Sequence, residues 1–294
     1  MENVYVINAH PIFSENAICF SSKFKIPIIR DLNPKSGDIY IVFGAHEIIQ
    51  ELMYYQKVHN ILYIIMNSEQ ISSPFLKNKY YIELMKQNIL FDYNKLTSKY
   101  LKETHNLVTM SYFFFEFIKA EINKDAAEEH NRDIDILFVG SHIPAREKLF
   151  NDLKKEFPEK NIEFDFLWKY KNPLDMKEVL QKSKYVINMP YYVNNTLETH
   201  RINNALSCGC KVVSLPSCDD DADEYYKDYI YFTDNIVEWF KIEKMVILPP
   251  LKDYTHLVLD LNNKLAIHNY NMILEIKKNM PILYADKEET KQEV

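Results

Sequence analysis

The chain has 294 residues, 47% of them hydrophobic, with a net charge of −7; that length suits about two domains, and the apolar content excludes a disordered chain. The acidic balance argues against nucleic-acid binding, which needs a basic face for the phosphate backbone, and Cys19, Cys208, Cys210 and Cys218 lack the paired spacing of a zinc site or disulfide framework. No run approaches the roughly 18 apolar residues of a membrane span, and Met1 to Asn3 lacks the basic start of a signal peptide, so a reduced, cytoplasmic protein is expected. Taken in order, β-branched runs at Val4–Asn8, Ile39–Phe43 and Ile61–Met66 predict strands that each end in polar residues, the second leading into a helix through Ile48, Ile49 and Leu52. His10, His46 and Glu69 follow these strands. The carboxyl ends of parallel strands are where open α/β sheets bind ligands, so the three could converge there and one could act as general base; taken alone, each is more often a loop-end or capping residue.

Residues Tyr80–Leu90 read as a helical stretch, Phe91–Asn94 as a turn opening another helix, Tyr112–Phe117 as core, and the charged segment Lys119–Arg132 as a linker or exposed helix. Beyond it, Ile134–Val139 is nearly continuous apolar, as expected of a strand covered on both faces. Glycine is scarce, at only Gly37, Gly44, Gly140 and Gly209, so each should mark a place where a side chain is not tolerated. Gly140 and Ser141 open a loop into a helix ending near Phe157; backbone N–H groups there could meet nucleotide phosphates, with Arg146 adding charge. The G-x-G-x-x-G pattern is absent, so the usual dinucleotide fold is not predicted. A strand over Ile162–Trp168, a helix over Met176–Lys182 and a strand over Tyr185–Asn188 continue an alternation that predicts an α/β fold, a parallel sheet with helices on both faces.

The stretch Thr196–Ser214 is the most informative. Glu198, His200 and Arg201 head a segment with Ile202, Ala205 and Leu206 at helical spacing, stopped by Gly209 and followed by the short strand Lys211–Ser214. Two cation-capable groups at a helix start, where backbone N–H groups lack partners, form a cradle for a phosphorylated ligand; a surface helix with a solvated charged end is the alternative. The acidic run Asp219–Asp223 has the Asp-x-Asp spacing that can hold a divalent cation under a diphosphate, through Asp219 and Asp221, or it is a helix cap and solvated loop. A last strand is expected over Tyr229–Phe232, a long helix over residues 255–277 and a charged tail over 286–294.

Several of these motifs together resemble glycosyltransferases of the two-Rossmann-domain (GT-B) architecture, in the group-1-like branch. Glu198–Ser214, E-T-H-R-I-N-N-A-L-S-C-G-C-K-V-V-S, is similar to the donor-site stretch of that family; Asp135–Ser141 looks like the first strand and phosphate loop of its C-terminal domain, and Asn67–Gln70 and Phe91–Asn94 are similar to an N-terminal-domain pattern. The resemblance implies two Rossmann-like domains facing each other across a cleft: a reduced N-terminal acceptor domain over 1–125, a C-terminal nucleotide-sugar-binding domain over 133–250, and a helix and tail over 251–294. It implies transfer of a sugar from a nucleotide-sugar to a glycan or other hydroxyl acceptor, with the donor as substrate and neither cofactor nor metal required. By resemblance, Arg201 neutralises the donor diphosphate, Gly140 and Ser141 approach the phosphates, and Glu198 and His200 lie near the sugar or ribose. The family's usual Glu, five residues before the helix-ending glycine, is Asn204 here, which can hydrogen-bond a hydroxyl but holds no charge. That departure, with the short first domain, keeps open a non-catalytic sugar-nucleotide or glycan-binding protein as the alternative.

Overall fold

The structure, a computed structural model, describes residues 4–29, 33–59, 61–111, 132–167, 169–170, 172–192, 196–243, 251–252 and 271. The aromatic cluster Tyr112–Phe117, all of the expected linker except Arg132, the long helix apart from Asn271, and the tail lie outside the described residues.

The first half runs β1 (Val4–Asn8), α1 (Ser14–Phe24), β2 (Ile28–Ile29), β3 (Ile39–Phe43), α2 (Ile49–His59), β4 (Leu62–Asn67), α3 (Lys79–Lys86), β5 (Ile89–Asp92), α4 (Lys95–His105) and β6 (Met110–Ser111). Its strands form one six-stranded sheet in the order β2-β1-β3-β4-β5-β6, and every pairing is parallel. All five residues of β3 are buried, because the sheet is covered on both faces. Ile39, Ile41 and Phe43 pack with Phe13, Ala17, Phe20 and Phe24 at α1 on one side; Tyr40 and Val42 pack with Leu52, Leu84 and Leu101 from α2 to α4 on the other. Each such fully buried large side chain contributes about 1.5–3 kcal/mol relative to exposure.

The second half runs β7 (Ile134–Val139), α5 (Pro144–Glu156), β8 (Ile162–Asp165), α6 (Pro173–Gln181), β9 (Ser183–Asn188), α7 (Thr199–Ser207), β10 (Lys211–Ser214), α8 (Asp220–Tyr226), β11 (Tyr231–Phe232) and α9 (Ile236–Glu243). Its five strands, also all parallel, lie in the order β11-β10-β9-β7-β8. Alternate residues of β7 face opposite layers: Leu137 and Val139 meet α6 and α7, whereas Ile136 and Phe138 meet α5 and α9.

Two expectations are corrected. The helical stretch over Tyr80–Leu90 stops at Lys86, and Ile89–Asp92 is a strand rather than part of a helix and a turn. Asn88 makes the break: its amide donates to the Leu84 carbonyl at 2.7 Å, and its carbonyl oxygen accepts from Tyr63 N of the neighbouring strand at 2.9 Å. Arg132 does not belong to an exposed linker. It is buried, donating to the carbonyls of Cys208 and Leu180 at 2.8 and 3.3 Å and to that of Ser183, so it ties the end of α7 to the start of β9.

Candidate active site

The carboxyl ends of both sheets open onto one cavity of about 430 Å³, lined from the first half by residues following β1, β3, β4 and β5 and from the second by those following β7 and β9 and by α7. The halves touch around it through Tyr93 Oη and Thr196 Oγ1 at 3.0 Å, Thr196 N donating to Gln70 Oε1 at 3.3 Å, and Asn94 Nδ2 donating to Asp219 Oδ2 at 2.6 Å. The ten residues singled out from the sequence, His10, His46, Glu69, Gly140, Ser141, Arg146, Glu198, His200, Arg201 and Asn204, all line this cavity.

On the second half, α7 begins at Thr199 beside Glu198 and presents Arg201 within its first turn. Arg201 donates from Nε to the Val139 carbonyl at 3.2 Å and from Nη1 to Asn188 Oδ1 at 2.8 Å, and it ion-pairs with Glu198. Its other terminal nitrogen lies against Gly140, where a Cβ would stand 3.1 Å from it and 2.9 Å from the Phe138 ring, so only glycine leaves room for this guanidinium. The Gly140 N–H is spent on the Asp165 carbonyl at 3.1 Å; Gly140 therefore provides close approach and not the expected phosphate-binding N–H.

Arg146 also differs from expectation. It is 1% exposed and donates to the carbonyls of Ser141 and Met189, so its guanidinium is held within the cavity wall rather than projecting from it. Burial, then the neighbouring Arg201, lowers its pKa to about 10, which leaves it charged at neutral pH. The two guanidiniums stack on the Phe138 ring at 4.7 and 4.9 Å, and Glu198 serves both, pairing with Arg201 and standing 3.6 Å from Arg146. His200 is held neutral, its pKa lowered to about 4 by burial and then by Arg201, and it reaches across to the Ile12 backbone of the first half. Asn204 stands 3.5 Å from His200 through its amide nitrogen, while its buried carbonyl oxygen has no hydrogen-bond partner.

On the first half the three candidates separate. His10 caps the turn at Pro11–Phe13, its Nδ1 accepting from Ile12 N at 3.2 Å, so the proton is on Nε2 and the neutral ring can donate but not accept in the cavity. The capping reading of this residue is the one realised. Gly44, at φ +76°, lets His10 approach: a Cβ there would lie 3.0 Å from that of His10. His46 is 8% exposed, and burial lowers its pKa to about 4. Glu69 Oε1 and Glu47 Oε1 lie 3.3 and 3.5 Å from its Nε2, which favours the tautomer with the proton there, leaving on Nδ1 a buried lone pair with no hydrogen-bond partner. Glu69 is anchored by the Ser73 hydroxyl and has its pKa raised, chiefly by burial.

Asp219 and Asp221 do not form a cation site. Asp219 Oδ1 caps α8 by accepting from Ala222 N at 3.2 Å and its other oxygen accepts from Asn94, while Asp221 is exposed and pairs with Lys95 at 2.8 Å. Among the described residues no group of three or more His, Cys, Asp or Glu side chains is arranged to hold a metal, and no helix is long and apolar enough to cross a membrane. The four cysteines are free thiols. Sequence reasoning missed Phe138, Asn188 and Ser68. Asn188 and Ser68 carry the same signal as His46, a polar residue at the carboxyl end of a buried strand; Phe138 is indistinguishable in sequence from any core phenylalanine.

No protein-family profile matches the sequence, and no curated protein matches it. Solved structures do: a crystal structure of Anabaena Alr3699/HepE in complex with UDP and glucose superposes with a TM-score of 0.60 at 8% identity, covering 95% of this chain and 100% of that one. A second, of Anabaena Alr3699/HepE in complex with UDP, gives 0.50 at 9% identity over 94% and 100% of the two chains. The fold is thus the α/β arrangement of two Rossmann-like units facing across a cleft, of GT-B type.

Proposed function

We propose that this protein is a glycosyltransferase that moves a sugar from a nucleotide-sugar donor to an acceptor hydroxyl, with residues 133–250 holding the donor and 1–125 the acceptor. The observation that carries this reading is Arg201, fixed by three partners, paired against Gly140 at the carboxyl end of β7 and turned toward a cleft whose opposite wall holds a neutral histidine oriented by a carboxylate. The likeness in fold to a protein crystallised with UDP and glucose supports it.

In this scheme the bond between the anomeric carbon and the β-phosphate oxygen breaks, and its electron pair leaves with the nucleoside diphosphate, whose developing charge meets the Arg201 guanidinium. The acceptor oxygen bonds to the anomeric carbon and gives its proton to Nδ1 of His46, with Glu69 stabilising the imidazolium formed. Positioning both partners in one cleft supplies much of the rate. Arg201→Ala is expected to keep the fold and lower nucleoside-diphosphate release from nucleotide-sugars by about 10²–10³-fold, the usual cost of one charge-stabilising donor. A rate equal to wild type overturns the phosphate role. The unpartnered Asn204 carbonyl oxygen, where the related family carries a carboxylate, favours a second reading, a sugar-nucleotide binder without turnover. Binding of nucleotide-sugars, seen as a rise in melting temperature, with no hydrolysis or transfer would select it.

A further inference from the structure

Ser68 is half-buried at the carboxyl end of β4 and is one of the residues that line the cavity; its hydroxyl oxygen lies buried behind that surface and has no hydrogen-bond partner. Its backbone is pinned. Asn67 Oδ1 accepts from Glu69 N and its Nδ2 donates to the Glu69 carbonyl, both at 3.2 Å, clamping the residues on either side of Ser68. Asn67 is itself fully buried and held by Tyr81 Oη at 2.9 Å and Asp92 at 2.6 Å. One strand over, the cavity-lining His46 holds a second buried polar atom without a partner, Nδ1. Folded chains seldom leave buried polar atoms unpaired, and two on the same wall of one cavity, flanking the same carboxylate, mark a place built for hydroxyl groups that arrive with a ligand. Both lie on the half opposite Arg201 and are separate from the cationic cluster.

We propose that Ser68 Oγ and His46 Nδ1 form a two-hydroxyl acceptor subsite, which selects a polyhydroxylated, sugar-like acceptor over a simple alcohol. His46 accepts from the reacting hydroxyl, and Ser68, which can donate and accept, binds a second hydroxyl of the same molecule. The inference rests on the transferase reading for which half takes the acceptor. Ser68 is a positioning residue: without it the acceptor keeps one contact and loses its orientation.

The test is a panel of methyl glycosides and their mono-deoxy analogues, titrated into the UDP-saturated protein and into the protein alone, with binding followed by ligand-observed NMR. Ser68→Ala is expected to weaken binding of the best glycoside about tenfold, the worth of a hydrogen bond to a buried partner, and to leave UDP affinity unchanged. For one deoxy analogue, wild type and Ser68→Ala should bind equally, an equality that a merely structural role would not produce. Equal binding of every glycoside by both proteins, a loss of UDP affinity in Ser68→Ala, or the absence of saturable glycoside binding overturns the subsite. If Ser68-dependent glycoside binding is found without donor turnover, the subsite stands and the transferase reading falls; turnover with Ser68-independent acceptor binding gives the reverse.

Discussion

Asp92, at the end of β5, is 1% exposed, and burial pushes its pKa up to about 8 from the ordinary 3.8, against the opposing pull of hydrogen bonds from Asn67 Nδ2 and Asn94 N. Between those two values the folded protein keeps a proton that the unfolded chain has released, so stability falls as pH rises. Each pH unit costs about 1.4 kcal/mol, and the 1.5 units from pH 6.5 to 8 remove about 2 kcal/mol. His46 and His200, both lowered to about 4 from 6.5, act with the opposite sign: their stabilisation is present above 6.5 and lost as pH falls toward 4. The interval above pH 6.5 therefore isolates Asp92 from them. Asp92→Asn cannot titrate, but its NH₂ must face one of the two donors, which costs about 1–3 kcal/mol at every pH. Urea unfolding of both proteins across the interval checks this: the wild type should lose about 2 kcal/mol, the variant almost none, and their stabilities should converge toward pH 8. Parallel pH dependences would mean that the Asp92 carboxyl is already ionised at pH 6.5 and would refute the argument.

Gly140→Ala places a methyl 3.1 Å from the Arg201 guanidinium and 2.9 Å from the buried Phe138 ring. The overpacking should cost about 1–3 kcal/mol and weaken nucleoside-diphosphate binding by moving Arg201, as calorimetry would detect; unchanged affinity would show that the guanidinium does not need its present position. Asp219→Ala removes the cap of α8 and strands the buried Asn94 amide, for a loss of about 2–4 kcal/mol in unfolding free energy. Donor turnover by the wild type should meanwhile be indifferent to EDTA; a loss restored by Mg²⁺ would return Asp219 and Asp221 to consideration as cation ligands.

The alternation of β-branched runs with helical spacing made most of the parallel α/β plan legible, because strands buried on both faces, such as Ile39–Phe43 and Ile134–Val139, must be apolar throughout. It failed at Ile89–Asp92, where the helix-to-strand break carries neither glycine nor proline and is made by one asparagine side chain bonding in both directions. The same periodicity left α1 and α9 unpredicted, and the two-residue strands β2 and β6 are too short to register. At the site, residue type after a strand located His46 and Glu69, and position at a helix start located Arg201, on the cavity wall, but not what each side chain does there. Whether His10 caps a turn or faces a ligand depends on where Ile12 N points, and whether Arg146 projects or is held within the wall depends on carbonyls from Ser141 and Met189. The first is a local choice that residue type leaves open, and the second turns on a carbonyl 43 residues away.

A protein of net charge −7 can still hold a diphosphate, because that ligand samples a few ångströms of the surface rather than its whole field. Around Arg201 two guanidiniums share the Glu198 carboxylate, with His200 held neutral beside them. Glu198 pairs chiefly with Arg201 and stands farther from Arg146. On the transferase reading, an arriving diphosphate competes for Arg201, and Arg146 gives the displaced carboxylate a second partner already at 3.6 Å. On that same reading the buried arginine would act through Glu198 rather than by touching the donor, lowering the cost of turning Arg201 from carboxylate to phosphate. Both guanidiniums can remain close only because the Phe138 ring and the carboxylate between them offset their repulsion, which ties the charge of the cavity to one phenylalanine in the core of the second sheet.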